Sequence, residues 1–305
     1  MLFFRIMRLP STKQLQYFVA LVDSGHFGRA ADASFVSPSA FSNAIKELEA
    51  TLGTRLVDRT KRQVTITATG QQIATQARLV LRDMEDLVEV AAGEKSPLSG
   101  SLRLGVIPTI APFLLPKVLP KLRKQYPSLQ LYLIEDQTDR IYDRLMQGEL
   151  DVLLLALPWE MRGVDTHDLY RDPFRLACRE GTQRVDPDRY RFSRLDGDNI
   201  LLLEDGHCLR DHALAACKIR NMQKVRPFAA SSLLTLIEMV DADLGITFLP
   251  AMAEGSSLLR NTRVKLHPIA ETSYRQIGLA WRKGSGRIEE FQLLGNFLLD
   301  NRQQN

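Results

Sequence analysis

Residues 29 to 53 run RAADASFVSPSAFSNAIKELEATLG, and this stretch decides the fold of the N-terminal part of the chain. Its alanine-rich beginning predicts a short helix, after which Ser37 and Pro38 supply an N-cap and the first residue of a second helix. In that second helix apolar residues recur on one face from Phe41 to Leu48. Two helices joined by a tight turn predict a helix-turn-helix, supported by a preceding helix at 12–24.

The second helix carries a polar face that suits DNA. Offsets of three, four and seven place Ser39, Ser42, Asn43 and Lys46 on one side. Short donors and acceptors with one cation match base edges and phosphates in a major groove, although a plain solvated face is the alternative. The predicted DNA contacts on this helix are Ser37, Pro38, Ser39, Ser42, Asn43 and Lys46.

The next segment predicts two short strands around a basic turn. Such a hairpin after a helix-turn-helix forms a wing, which places Arg59, Lys61 and Arg62 near phosphates or the minor groove. The net charge of +4 lies wholly in residues 1–70, because Lys plus Arg and Asp plus Glu balance in the remainder. A basic N-terminal module on a neutral body favours a nucleic-acid partner, with an anionic membrane as the alternative.

The composition excludes several classes of protein. A length of 305 residues predicts about two domains. The longest apolar run, 152–158, is far shorter than the ~18 residues of a membrane span. Three cysteines are too few for a disulfide scaffold, and the N-terminus has no export signal, so we expect a cytoplasmic protein in a reducing compartment.

Residues 68–95 predict one long linker helix. Its apolar residues step by four and three, which is a heptad seam that favours pairing with a second copy of the chain; a helix packed on its own chain is the alternative. The seam consists of Ile73, Ala77, Val80, Met84, Leu87 and Ala91.

From residue 101 strands alternate with helices, which predicts an α/β fold with a mostly parallel sheet. Two internal prolines, Pro116 and Pro120, predict a kinked or broken helix. Two lobes with a ligand site between them fit the length of this part. Strands are predicted at 102–107, 129–134, 151–156, 174–178, 199–203, 245–248, 264–267 and 276–281. The predicted domains are 10–67, 68–95 and 101–305, with lobe I at about 101–170 and 270–305 and lobe II at about 171–269.

With these motifs the chain resembles the LysR-type transcriptional regulators over nearly its whole length. The family string runs from Ala30-Ala31 through Ser37-Pro38-Ser39 to Lys46-Glu-Leu-Glu49, then Leu52-Gly53, Arg59-Thr60 and Thr69-Gly70. Within the family, the segment Leu203-Glu-Asp-Gly-His-Cys-Leu-Arg-Asp211, followed by Cys217, is similar to the peroxide sensors. The resemblance implies a winged helix-turn-helix, a linker helix and a two-lobed regulatory domain like the periplasmic binding proteins. It implies no enzymatic activity and no cofactor or metal.

The resemblance also implies the sensing residues and the partners. Peroxide would oxidise Cys208, and Cys217 would resolve the product as a disulfide. The residues that form or support the peroxide site are Thr109, Thr138, His207, Arg210, Asp211 and Arg282. The implied partners are promoter DNA, RNA polymerase, hydrogen peroxide as the signal, glutaredoxin or thioredoxin as reductant, and further copies of the chain in dimers and tetramers.

The chemistry of the two cysteines agrees with that role. Cys208 precedes a predicted helix at 209–219. The N-terminus of this helix, with Arg210 and His207 nearby in the sequence, favours the thiolate that peroxide oxidises to sulfenic acid. Nine residues of helix would separate Cys208 from Cys217 by about 13.5 Å on opposite faces. A disulfide needs Cα atoms within about 7 Å, so oxidation must refold the segment. Cys178 fits a buried strand.

Two other readings stay open at the level of sequence. A regulator of the same fold could bind a small organic effector between its lobes, with incidental cysteines. The second alternative is a cysteine-dependent enzyme such as a thiol peroxidase, although the basic winged helix-turn-helix would have no role in such an enzyme. Consumption of peroxide in stoichiometric rather than catalytic amounts would exclude the enzyme.

Overall fold

The computed structural model describes residues 8–59, 64–91, 98–187, 189, 200–206, 208–216, 230–269 and 273–302. The chain divides into two compact units. The first unit comprises Met1–Lys95 with Met146–Glu149, and the second comprises Ser96–Leu145 with Leu150–Asn305. In the described residues no helix is long and apolar enough to cross a membrane.

The first unit contains the predicted helix-turn-helix, wing and linker helix. A capping box at Ser11 starts the first helix, and left-handed glycines end the first and third helices. The packed interior includes Phe18, Phe41 and Leu48, which are all fully buried. The elements are α1 (Thr12–Ser24), α2 (Phe27–Ala33), α3 (Pro38–Leu52), β1 (Val57–Arg59), β2 (Val64–Ile66) and α4 (Ala68–Ala91).

The wing is an antiparallel hairpin joined closely to the long helix α4. Val57 pairs with Ile66 and Arg59 with Val64. Gly70, in the first turn of α4, packs on the backbone directly before β1, because a Cβ at this position would lie 2.3 Å from the carbonyl oxygen of Leu56. Only glycine permits this approach, which explains a glycine inside a helix.

The two halves of α4 differ in burial. Ala74 and Ala77 are buried in the core of the first unit. Farther along, Leu87 is 68% exposed and Val88 is 65% exposed, and Val80 and Met84 are also exposed. The predicted heptad seam therefore continues beyond the part that its own chain covers.

A short segment from the middle of the sequence belongs to the first unit. Arg78 of α4, nearly fully buried, forms an ion pair with Asp23 of α1. Its guanidinium also donates to the carbonyl oxygen of Gln147 at 3.4 Å and lies 3.7 Å from the carboxylate of Glu149. One buried cation thus holds together α1, α4 and the segment Met146–Glu149.

The second unit is an α/β domain, as predicted. Its core includes Phe113, Phe174 and Phe248. The strands are β3 (Gly100–Val106), β4 (Leu129–Glu135), β5 (Val152–Leu157), β6 (Val164–Arg179), β7 (Thr247–Pro250), β8 (Val264–Pro268) and β9 (Tyr274–Arg282). The helices are α5 (Ala111–Gln125), α6 (Thr138–Met146), α7 (Cys208–Ala216), α8 (Leu233–Asp241), α9 (Ser257–Arg260) and α10 (Ile288–Asn301).

The prediction of a mostly parallel sheet is wrong. Strand β3 pairs in parallel with β4 and β5, but β9 pairs antiparallel with both β5 and β6. Strand β6 also pairs antiparallel with β7 and β8. The long strand β6 follows β5 after a short connection without a helix, so these two strands do not form a parallel crossover unit.

Two local predictions also need correction. Helix α5 is continuous through Pro116 and Pro120, because these prolines and Pro112 recur every fourth residue along one partly exposed face, where water can satisfy the freed carbonyl groups. The strand predicted at 199–203 is reduced to isolated bridges, from Ile200 to Ile246 and from Leu203 to Ala230.

Candidate functional site

Three neighbouring strands place short polar segments at one edge of the sheet. Thr109 follows β3, Thr138 is the first residue of α6 after β4, and Pro158 follows β5. The carboxyl ends of parallel strands meet at the same edge, which is where ligands bind in open α/β sheets. Both threonines are only 1% exposed, so their hydroxyl groups face the interior of the domain.

Cys208 is the first residue of α7 and lies against this edge. Its side chain is 2% exposed. The thiol contacts the hydroxyl of Thr138 and the backbone of Ala156 in β5. Just before it, Gly206 adopts φ +94°, and a Cβ there would lie 2.9 Å from the side-chain oxygen of Gln137. The glycine therefore lets the chain enter α7 closely packed on the segment that precedes Thr138.

The hydroxyl of Thr138 lacks a full hydrogen bond. This hydroxyl lies beside the Cys208 sulfur, where it lowers the pKa of the thiol. The contact falls short of a complete hydrogen bond, and the Thr138 oxygen has no other partner among the described residues. Buried hydroxyl groups almost always have a partner. A polar group without one, next to a thiol, marks a place where a small polar ligand could bind.

Arg275 of β9 is the buried cation of the site, and the sequence analysis missed it. Its guanidinium donates to the hydroxyl and to the carbonyl oxygen of Thr109, each at 2.9 Å. It also pairs with the carboxylate of Asp172 at 3.0 Å, and both side chains are almost fully buried. The available signal was an arginine directly before the strand predicted at 276–281, but no local pattern indicated its partner in β6.

The electrostatics of Cys208 differ from the prediction. Burial raises the pKa of its thiol, and this effect outweighs Arg275 and Thr138, which both lower it. The predicted thiolate is therefore not favoured in this conformation, because desolvation penalises the charged sulfur more than Arg275 and Thr138 favour it. Arg275, rather than Arg210, is the cation that acts on the thiol.

Arg210 and Asp211 both lie in the first turn of α7, but they differ in their effect on the Cys208 thiol. Arg210 forms an ion pair with the exposed carboxylate of Asp205. Asp211 is exposed and raises the pKa of Cys208 through its negative charge. The structure therefore brings Asp211 close enough to influence the sulfur, while the described contact of Arg210 is with Asp205.

Arg282 lies away from this site. Its guanidinium donates to the carbonyl oxygens of Leu145 at 2.5 Å and Leu150 at 2.8 Å. Ala156, which contacts Cys208, pairs with Ile277, and Arg282 is five residues farther along β9, about 16 Å away. The structure does not bring Arg282 to Cys208, and instead places it at the two ends of the segment Met146–Glu149.

Several predicted residues lie outside the described part of the chain. These are His207, Cys217, Lys61 and Arg62. For Arg59 the structure describes the strand but not the side chain. Cys178 is confirmed as a core residue of β6, where burial raises the pKa of its thiol to about 11. Among the described residues no group of His, Cys, Asp and Glu could hold a metal ion.

The predicted DNA-contacting face lies on α3. The Ser37 side chain caps this helix by accepting from the backbone of Ala40 at 3.3 Å, and Pro38 follows in its first turn. Ser39, Asn43 and Lys46 are exposed, and Ser42 is partly exposed. The opposite face of α3 is buried through Phe41, Ile45 and Leu48. This arrangement is that of a recognition helix, with one face fixed in the core and one free to enter a groove.

The fold and these two sites define the class of protein. Residues 12–71 match the bacterial regulatory helix-turn-helix of the lysR family, and residues 95–303 match the LysR substrate binding domain. The chain belongs to the LysR family of transcriptional regulators.

Within that family the chain is 38% identical to the hydrogen peroxide-inducible genes activator of Dickeya chrysanthemi, over 91% of this chain and 92% of the relative. It is 40% identical over 92% of its length to the DNA-binding transcriptional dual regulator OxyR of Escherichia coli, of which it covers 92%. It is also 40% identical to the regulator EstR of Acinetobacter baylyi, over 95% of this chain and 96% of the relative. A cysteine variant of full-length OxyR from Pseudomonas aeruginosa has the same fold, with a TM-score of 0.80, 32% identity and 95% coverage of both chains.

Proposed function

We propose that this chain is a transcriptional regulator that responds to hydrogen peroxide through Cys208. One observation carries the proposal: the buried thiol lies beside a hydroxyl group without a full hydrogen bond, Thr138, and within the electrostatic reach of the buried cation Arg275. A thiol, a hydroxyl and a fixed positive charge are the groups that can bind a peroxide and favour its attack by sulfur. The relatives named hydrogen peroxide-inducible genes activator support the same signal.

The peroxide site in this proposal is built from the ends of the strands. Thr109 and Thr138 hold or orient the peroxide oxygens, and Arg275 fixes Thr109 through two hydrogen bonds. His207 and Asp211 remain proposed contributors from the segment around Cys208. Arg210 is proposed to act on the segment before Cys208 through its ion pair with Asp205.

The reaction has two steps. The sulfur of Cys208 attacks one peroxide oxygen, the O–O bond breaks, and the products are a sulfenic acid and water. The thiol of Cys217 then attacks the sulfenic sulfur and releases a second water, which leaves a disulfide. Glutaredoxin or thioredoxin is the proposed source of the electrons that restore both thiols.

The geometry of α7 makes the second step a structural event. From Cys208 to Ala216 the helix rises about 12 Å, and one further peptide spans about 4 Å. The Cα atoms of Cys208 and Cys217 therefore stay at least about 8 Å apart while α7 is intact, beyond the limit of about 7 Å for a disulfide. Formation of the bond must unwind at least part of α7, so the oxidised domain has a different local fold.

The proposed output is a change in promoter binding. Dimers form through the exposed seam of α4, pair again into tetramers, and present their α3 helices and wings to double-stranded DNA. Refolding around α7 changes how the copies pack and thus the spacing of the α3 helices, which favours recruitment of RNA polymerase.

The decisive experiment maps the thiols of the reduced full-length protein before and after one equivalent of hydrogen peroxide. We expect a linked peptide that joins Cys208 to Cys217, with Cys178 still free because it is buried in β6. The matched control is Cys178→Ser, which should keep the response, whereas Cys208→Ser should abolish it. Catalytic turnover of excess peroxide would instead indicate a thiol peroxidase.

A second candidate function is regulation by a small organic effector. The chain is as similar to EstR as to OxyR of Escherichia coli, at 40% identity in both cases. The name EstR does not refer to peroxide, which favours this candidate. In that case all three thiols would survive the peroxide treatment. DNA binding would then respond to an effector bound between the proposed lobes and not to oxidation.

A further inference from the structure

His212 lies one helical turn after Cys208 and completes the same site. Both residues belong to α7, and residues four apart on a helix have neighbouring side chains, about 5–6 Å apart at Cβ. Both are held by the end of β5: the backbone of Ala156 contacts the Cys208 thiol, and the carbonyl oxygen of Pro158 lies 3.2 Å from Nε2 of His212. The imidazole and the thiol therefore both lie against the end of β5.

The contact with Pro158 determines which ring nitrogen carries the proton. A carbonyl oxygen only accepts, so Nε2 of His212 must donate to it. In the neutral ring Nδ1 then holds a free lone pair. This Nδ1 is buried and has no hydrogen-bond partner among the described residues. A buried basic nitrogen without a partner among the described residues, one helical turn from a thiol, is a candidate to take its proton.

Burial favours the neutral form of both groups. Burial, the largest effect, and the positive charge of Arg275 lower the pKa of His212 from its ordinary value of 6.5, while the Pro158 contact and Asp211 oppose them. Burial also raises the pKa of Cys208. The charged groups that act on the pair are Arg275 from β9 and Asp211 from α7 itself. A neutral thiol needs a base before it can attack peroxide, and His212 is neutral and available.

We propose that Nδ1 of His212 is the proton acceptor for Cys208 in the reaction with hydrogen peroxide. As the S–O bond forms, the thiol proton moves to Nδ1, and the peroxide O–O bond breaks. The imidazolium then gives this proton to the departing hydroxide, which leaves as water. The sulfur loses two electrons, the peroxide gains them, and the imidazole returns to its starting state. The inference rests on the proposed peroxide function.

The test is the pH dependence of Cys208 oxidation in full-length protein with Cys217→Ser, which isolates the first step. Remaining Cys208 thiol is counted by alkylation and peptide mapping after an acid quench. With His212 in place, the second-order rate constant for hydrogen peroxide should be nearly constant above the lowered pKa of the imidazole, between about pH 7 and pH 8.5.

The matched variant is His212→Gln, whose amide can still donate to Pro158 but offers no base. Only the free thiolate then reacts, so the rate should rise about tenfold per pH unit and fall at least tenfold below the parent near pH 7. His212→Asn should give the same slope. His167→Gln is the control, because His167 lies in β6 beside Trp281, and it should keep the flat profile.

The outcomes separate the two proposals. A flat profile in both His212 variants, equal to that of the parent, would overturn the role of His212 while leaving Cys208 as the sensor. If the parent itself shows no oxidation of Cys208, the proposed peroxide function fails, and the proton-transfer role fails with it. A slope that appears in the His212 variants and not in His167→Gln supports the proposal, because a purely structural defect would not introduce a dependence on pH.

Discussion

At the scale of single residues, Arg275 links stability and reactivity. Its guanidinium is fully buried, and it is satisfied by Thr109 and by the carboxylate of Asp172. The same positive charge lowers the pKa of the Cys208 thiol against the larger effect of burial. Burying the positive charge of Arg275 away from water costs free energy. The carboxylate of Asp172 offsets part of that cost because it pairs with the charge.

Replacement of this cation should separate the two roles. In Arg275→Gln the pKa of Cys208 should rise further and its reaction with hydrogen peroxide should slow, because no nearby positive charge favours the sulfur anion as the thiol proton leaves. The free energy of unfolding should fall by about 3–5 kcal/mol, because Asp172 is left as an uncompensated buried charge. Urea unfolding and alkylation kinetics measure the two effects.

The double variant Arg275→Gln with Asp172→Asn is the control for the residue-scale prediction. It removes both charges, so a substantial part of the lost stability should return. The slow reaction should persist, because the cation near the sulfur is still absent. A double variant that reacts as fast as the parent would contradict a direct electrostatic role for Arg275.

At the scale of single elements, α3 and α7 show how a helix can be fixed on one side and functional on the other. Helix α3 buries Phe41, Ile45 and Leu48 and exposes its polar face. Helix α7 buries Cys208 at its first residue, and Gly206 allows the tight entry into it. Because α7 is only nine residues long, it depends on its packing rather than on intrinsic helicity, which suits an element that is proposed to unwind on oxidation.

The polar face of α3 predicts a specific effect on DNA binding. Lys46→Ala should weaken binding to a promoter fragment and reduce the slope of log affinity against log salt by about one for each DNA-bound chain. Titrations at several salt concentrations measure this slope. The control is Lys13→Ala, since Lys13 lies on α1 near the ring of Tyr17 and should leave the slope unchanged.

An equal loss of slope in both lysine variants would point to a general charge effect and would contradict the assignment of α3 as the recognition helix. The wing offers an independent comparison. Arg62→Ala, at the predicted tip of the hairpin, should also weaken binding and lower the slope. If neither Lys46→Ala nor Arg62→Ala changes the affinity, the DNA contacts lie elsewhere.

At the scale of the whole molecule, α4 leaves an apolar seam that its own chain does not cover. The exposed residues Val80, Met84, Leu87 and Val88 follow the buried Ala74 and Ala77 along the same helix. An apolar stripe at heptad spacing is the pattern of helices that pair. The proposed dimer buries this stripe and brings together two winged helix-turn-helix units.

The seam gives a direct test of the oligomer. Leu87→Glu places a charge in the middle of the stripe, so we expect the dimer to dissociate at concentrations where the parent stays associated. Sedimentation velocity over a range of concentrations measures the change. Glu85→Lys alters the charge on the same helix away from the seam and should keep the parent's association. Unchanged association of Leu87→Glu would move the proposed dimer contact away from α4.

The sequence by itself determined the local elements and the class of protein. Capping residues, helical periodicity and the basic hairpin predicted the helix-turn-helix, the wing and α4, because these signals act over a few residues. Resemblance along nearly the whole chain predicted the family, which the comparisons confirm. Cys208, Thr109 and Thr138 could be nominated because each lies next to the end of a predicted strand or the start of a predicted helix.

The tertiary structure alone decided what depends on residues far apart in the chain. The antiparallel pairings of β9 and the partnership of Arg275 with Asp172 join segments separated by about a hundred residues, and no local pattern specifies them. The same holds for the pKa of Cys208: the helix N-terminus is a local feature that favours a thiolate, but burial is a property of the packed domain and outweighs it. The role proposed for His212 also depends on the tertiary structure. The carbonyl oxygen of Pro158 accepts from Nε2 and leaves Nδ1 without a partner among the described residues.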